Sequence, residues 1–105
     1  MDWPDDVDGG VMRRLQSSGF PFDRETEIDF NIDFDEPQRV GMVCSIAQQA
    51  FLAAKVTAED GNMRVQVCAL LSYPYVIEVQ AELTQICSEF GGKCESWGVL
   101  WDPRV

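Results

Sequence analysis

The stretch Glu27–Pro37, EIDFNIDFDEP, decides how the chain is read. Ile28, Phe30, Ile32 and Phe34 take the even positions, and Glu27, Asp29, Asn31, Asp33 and Asp35 take the odd ones. Side chains of a strand point alternately to its two faces, so a period of two marks a strand with one face in a core and the other in solvent. The stretch therefore poses a functional question: what a row of carboxylates along the second face meets.

Working outward, each neighbouring segment announces its own element. Val7, Val11 and Leu15 recur at helical spacing and predict an amphipathic helix from about Asp8 to Ser18, capped by Gly19 and stopped by Pro21. The strand follows over Glu25 to Phe34. Asp35 then stands as a helix cap, with Gln38 completing a capping-box pattern and Pro37 tolerated in the first turn. Val40, Val43, Ala47, Ala50, Phe51 and Ala54 form the stripe of that helix, and Gly41 within it predicts close packing. Residues 55–71 read as a hairpin around Asp60-Gly61-Asn62, with Val65, Val67, Ala69 and Leu71 on one face and Arg64, Gln66 and Cys68 on the other. A helix from about Pro74 to Phe90, capped by Ser72, carries Val76, Val79, Leu83, Ile86 and Phe90 on one side and ends at Gly91-Gly92. A last strand spans about Lys93 to Trp101.

The order is a helix and then β-α-β-β-α-β. This predicts an α+β two-layer sandwich in a single domain, with a four-stranded antiparallel sheet and both later helices on one face. The 27–34 strand is then central. Its even face packs on helices, and its odd face lies on the open side of the sheet.

Composition bounds what that open side can do. The chain has 105 residues, is 46% hydrophobic and carries a net charge of −10. Residues 1–36 hold eleven acids and three bases, and the remainder seven and five. Such a field repels nucleic acid phosphates and attracts basic partners. The opening MDWPDDVDGG has no basic or apolar leader region, and the longest uncharged run, residues 40–54, is too short to span a bilayer. A cytoplasmic protein is expected. Cys44, Cys68, Cys87 and Cys94 have no metal-ligand spacing, and the chain has no histidine. They are expected as reduced core residues, and no metal or cofactor is implied.

RNA-binding sheets of this topology carry stacking aromatics and cations on their central strands, whereas here Glu27, Asp29 and Asp33 occupy that place, so direct nucleic acid binding is excluded. No phosphate loop, nucleophile motif or histidine accompanies the carboxylates, and no catalytic residue is assigned. A docking surface for a basic protein segment remains, against the plain reading of a solvated strand face. In the C-terminal CESWGVLWDP, Trp97, Val99 and Trp101 share a strand face; Trp97 is assigned to the core, Trp101 is a candidate interface anchor, and Gly98 marks a bulge or a close backbone approach. Alternatives of other classes are an immunity-like or antitoxin-like binder of a basic toxin, and a small-molecule-binding regulatory domain with an apolar pocket between sheet and helices.

Two segments together resemble the RraB family, regulators of ribonuclease activity. At the N-terminal side these are Asp8-Gly9, Arg13-Arg14-Leu15, Gly19-Phe20, Phe22 and Ile28-Asp29-Phe30; at the other end they are Phe90-Gly91 and Trp97-Gly98. The likeness spans about residues 6–102. It implies a ferredoxin-like α+β domain and a non-enzymatic acidic protein that binds ribonuclease E outside its catalytic domain and inhibits RNA processing. On that reading Glu27, Asp29 and Asp33, with Trp101, meet a basic region of the ribonuclease and no RNA.

Overall fold

A computed structural model of the chain describes residues 3–35, 40–59, 61–99 and 101, with the backbone alone at 95. The elements run α1 (Val7–Ser17), β1 (Glu25–Phe34), α2 (Val40–Ala50), β2 (Lys55–Glu59), β3 (Asn62–Leu70), α3 (Tyr73–Ser88) and β4 (Gly92–Val99). The strands form one sheet in the order β2-β3-β1-β4, every neighbouring pair antiparallel. This is the expected α+β arrangement, with β1 central.

The alternation of β1 sets the two faces. Ile28, Phe30 and Ile32 are fully buried and Phe34 nearly so. Residues directly opposite one another in an antiparallel pair point to the same side. Val67, Val65 and Met63 stand opposite Ile28, Phe30 and Ile32 on β3, and Val99, Trp97 and Cys94 stand opposite them on β4. The helices complete this side with Val40, Val43 and Ala47 from α2 and Val76, Val79, Leu83 and Cys87 from α3.

β4 holds this register only through a bulge. Asn31 pairs with Ser96 but Ile32 pairs with Cys94, so β4 carries one extra residue. The bulge returns Cys94 to the core side. Gly98, expected to mark such a feature, stands opposite Asp29 with open space beyond it. Gly92 is where a close approach does require glycine, because an added Cβ would run into the Phe34 ring and the Cβ of Cys87.

Three further expectations are corrected. In α1 the buried residues are Gly9 and Met12, while Val7 is 82% exposed. The helix begins at Asp6, whose side chain accepts from the Gly9 N–H at 2.7 Å, and this entry turns Val7 outward. Gly41 meets nothing, because α2 presents that side to solvent. Of the cysteines only Cys87 is buried; Cys44 and Cys94 are half-buried, and Cys68, opposite Glu27, is exposed on the open face.

Helix ends follow the sequence signals. Gly19, at φ +86°, closes α1 with a pair of bonds, Gly19 N–H to Gln16 O and Phe20 N–H to Leu15 O. Ser72 caps α3 through the Tyr75 N–H, and Gly91 leaves it at φ +77°. α2 stops at Ala50, earlier than its apolar stripe predicts, and Ala50 is exposed. The Gln48 amide donates to the carbonyls of Phe51 and Ala54 at 3.1 and 2.8 Å, holding the turn that follows. The proposed cap of α2 around Pro37 and Gln38, and Asp60 of the hairpin turn, lie outside the described residues.

Candidate docking surface

α1 decides which sheet face stays open. Its Asp8 accepts at 2.7 Å from the indole N–H of Trp97, a residue on the core side of β4, and at 3.4 Å from Gln80 of α3. Asp6 accepts from the Tyr73 hydroxyl at 2.5 Å. All three helices therefore lie in one layer, and α1 leaves the odd face of β1 uncovered.

On that face Glu27 and Asp33 are exposed, and Asp29 and Asn31 are half-buried. Asp33 accepts from the Asn62 amide at 2.7 Å, and Asn31 donates to the Ser96 hydroxyl at 3.3 Å. Asp29 lies between Gln66 and Gly98; one of its oxygens is shielded from solvent without a hydrogen-bond partner. Gly98, opposite it on β4, has open space where a side chain would stand.

Cross-strand register changes the character of the row. Arg64 stands opposite Asn31, Lys93 opposite Asp33 and Lys55 opposite Gln66. Glu25, Glu27, Asp29, Asp33 and Glu59 thus share the open side with three cations. Among the described residues an ion pair within 4 Å lies elsewhere, between Arg13 and Asp5 at 3.6 Å. The face is acidic along β1 and mixed at its borders, which favours an oriented polar contact over plain attraction.

Trp101 does not join the three acids. It continues the Trp97 side and meets Phe20 edge-on at 5.3 Å between ring centroids, and Phe20 in turn meets Phe22 at 4.9 Å. Trp101 is half-buried there, packed against the core. Trp97 is also half-buried on the core side, as assigned from sequence.

Among the described residues no group of three or more His, Cys, Asp and Glu is placed to hold a metal ion. Burial raises the Cys87 thiol to about 11, with Cys44 nearby adding to the effect, and burial also raises Cys44; both stay protonated at neutral pH and are poor nucleophiles. No helix among the described residues is long and apolar enough to cross a membrane.

Sequence reasoning missed Asp6 and Asp8, the carboxylates that fasten α1. Asp6 had a local signal, an acid just before a helical stripe. Asp8 entered only through the Asp8-Gly9 likeness, and its role had no local signal because its partner lies 89 residues away.

A family model described as "Regulator of ribonuclease activity B" matches residues 5–99. A search of curated proteins finds no match.

Proposed function

The chain belongs to the RraB family, and from that premise we propose that it acts as one domain over residues 1–105, in the cytoplasm, and holds ribonuclease E against the open face of its sheet. Members of the family are non-enzymatic regulators of ribonuclease E that inhibit by protein binding, and membership implies binding to that enzyme. The observation that carries the choice of surface is the uncovered odd face of β1, where Glu27, Asp29 and Asp33 stand side by side with no helix over them. Glu27 and Asp33 supply electrostatic attraction to a basic segment, and Asp29, with one oxygen lacking a hydrogen-bond partner, offers an acceptor to one of its cations. The half-exposed edge of Trp101 serves a separate contact from the helix side.

The test is binding of purified ribonuclease E to the wild type and to a Glu27→Gln, Asp29→Asn, Asp33→Asn variant, with thermal unfolding as a control for folding. Exposed charge pairs contribute about 0.2–1 kcal/mol each, so the triple change should weaken binding by at least about threefold at low salt. High salt should narrow the difference in affinity between wild type and variant. Equal affinity at low salt would remove this face from the interface. Trp101→Phe, which keeps a ring against Phe20, should weaken binding without lowering the unfolding temperature by more than a few degrees; unchanged affinity would leave Trp101 a packing residue.

A further inference from the structure

An apolar groove opens where α1 meets the start of α3, on the helix layer and away from the open sheet face. Met12 and Leu71, both almost fully buried, lie at its base. Trp3, Phe22, Tyr73 and Pro74 form its sides. Its volume is about 360 Å³, within the range of roughly 300–1,000 Å³ typical of ligand clefts.

The sides are held in place. Trp3 and Phe22 rest against each other at 5.8 Å between ring centroids. Arg13 donates to the Trp3 carbonyl at 3.0 Å and to that of Pro4 at 3.4 Å, so the segment before α1 is tied down as a wall. The Tyr73 hydroxyl is engaged by Asp6 and faces away from any ligand role.

The rim is acidic. Asp5 and Asp6 follow the wall residue Pro4; Asp5 is fully exposed and Asp6 is exposed. The N-termini of α1 and α3 lie nearby and bring about half a positive charge each, but Asp6 and Asp8 already stand at the first of them. Arg13 is occupied by Asp5 and by the two carbonyls. An apolar cleft with a carboxylate rim suits one kind of occupant: an apolar side chain with positive charges beside it.

We propose that this groove holds an apolar side chain of a short basic protein segment, with flanking Lys or Arg set against Asp5 and Asp6. Trp3 and Phe22 give the anchor large, rigid contact area, and Met12 beneath adapts to its shape. Because the groove and the open sheet face lie in different layers, one basic partner can engage both, or two segments can bind without competing.

The experiment titrates the full chain with a capped peptide of two central leucines flanked on each side by two arginines, followed by backbone amide NMR. A control peptide has serines in place of the leucines. The expected result is movement of the Trp3, Phe22, Leu71 and Tyr73 signals with the leucine peptide, and clearly weaker binding of the serine peptide. Trp3→Ala should weaken the leucine peptide by about tenfold, the scale of an interfacial aromatic anchor. Asp5→Asn should weaken it by about two- to fivefold at low salt, as one exposed charge pair allows. The proposal is overturned if the serine peptide binds as tightly, if the moving signals belong to β1 and β3, or if Trp3→Ala and Asp5→Asn, both folded, bind the leucine peptide like wild type. The ribonuclease E assay with the Glu27, Asp29 and Asp33 variant reads the open face independently, so either surface can fail alone.

Discussion

Gly92 and Trp97 show how single positions hold the sheet to its helices. Gly92→Ala places a methyl group against the Phe34 ring and Cys87, where all atoms belong to the core. Overpacking of this kind costs about 1–3 kcal/mol, which urea unfolding would register. Trp97→Phe keeps an aromatic ring but removes the indole N–H that Asp8 accepts; a bond to a charged group is worth about 1.5–3 kcal/mol, so a loss near the lower end is expected at this half-exposed site. Asp6 gives the molecule a pH response. The Tyr73 hydroxyl first, and then the Gly9 N–H, hold its carboxyl below the ordinary value of 3.8. A lowered folded-state pKa contributes stability above the ordinary value, lost as pH falls through the lowered one. Asp6→Asn should therefore be less stable than wild type at neutral pH, and the gap should close below pH 3.8. A constant gap across that range would assign the loss to cap geometry alone. At this scale the sequence was legible where the signal was local, as at Ser72 or Gly19, and silent at Asp8, whose partner is brought to it only by the completed fold.

Elements were read well where burial alternates cleanly and poorly where it does not. β1 runs over the residues its pattern predicts because a strand buried on one face allows no slippage: a shift by one residue would put four carboxylates or amides into the core. The Val7, Val11, Leu15 stripe of α1 failed because the Asp6 cap, and not the stripe, sets the helix phase. α2 ended early because Gln48 turns back on the carbonyls of Phe51 and Ala54, a role that helical periodicity does not reveal. Gln48→Ala should leave the fold intact, cost about 1–2 kcal/mol for two carbonyls losing a partner, and speed amide exchange locally around residues 51–54. Uniformly faster exchange through α2 and α3 would contradict so local a role. The same limit explains the docking surface: β1 alone displays a carboxylate row, but Arg64, Lys55 and Lys93 enter only through cross-strand register.

For the whole molecule, the charge asymmetry was visible from composition, whereas the layer into which α1 folds was not, and that layer decides which face is free. Long-range attraction acts before contact, and exposed charges are screened beyond about 8 Å at physiological ionic strength. Association with ribonuclease E should therefore slow with added salt while dissociation changes less, as stopped-flow mixing would show. An association rate indifferent to salt would transfer the binding energy to apolar contacts such as the groove.

The clasp between Asp8 and Trp97 also sets a timetable. Synthesis delivers α1 and β1 before β4, yet β1 lacks one edge partner, and α1 the Trp97 bond that joins it to the sheet, until residues 92–99 emerge from the ribosome. The central strand must wait for β4, its Phe30 face half covered until then. Stalled nascent chains ending before residue 92 should be cut readily by protease, and chains extended far enough for Trp101 to clear the exit tunnel should resist. The sheet of the regulator is thus complete only when β4 arrives.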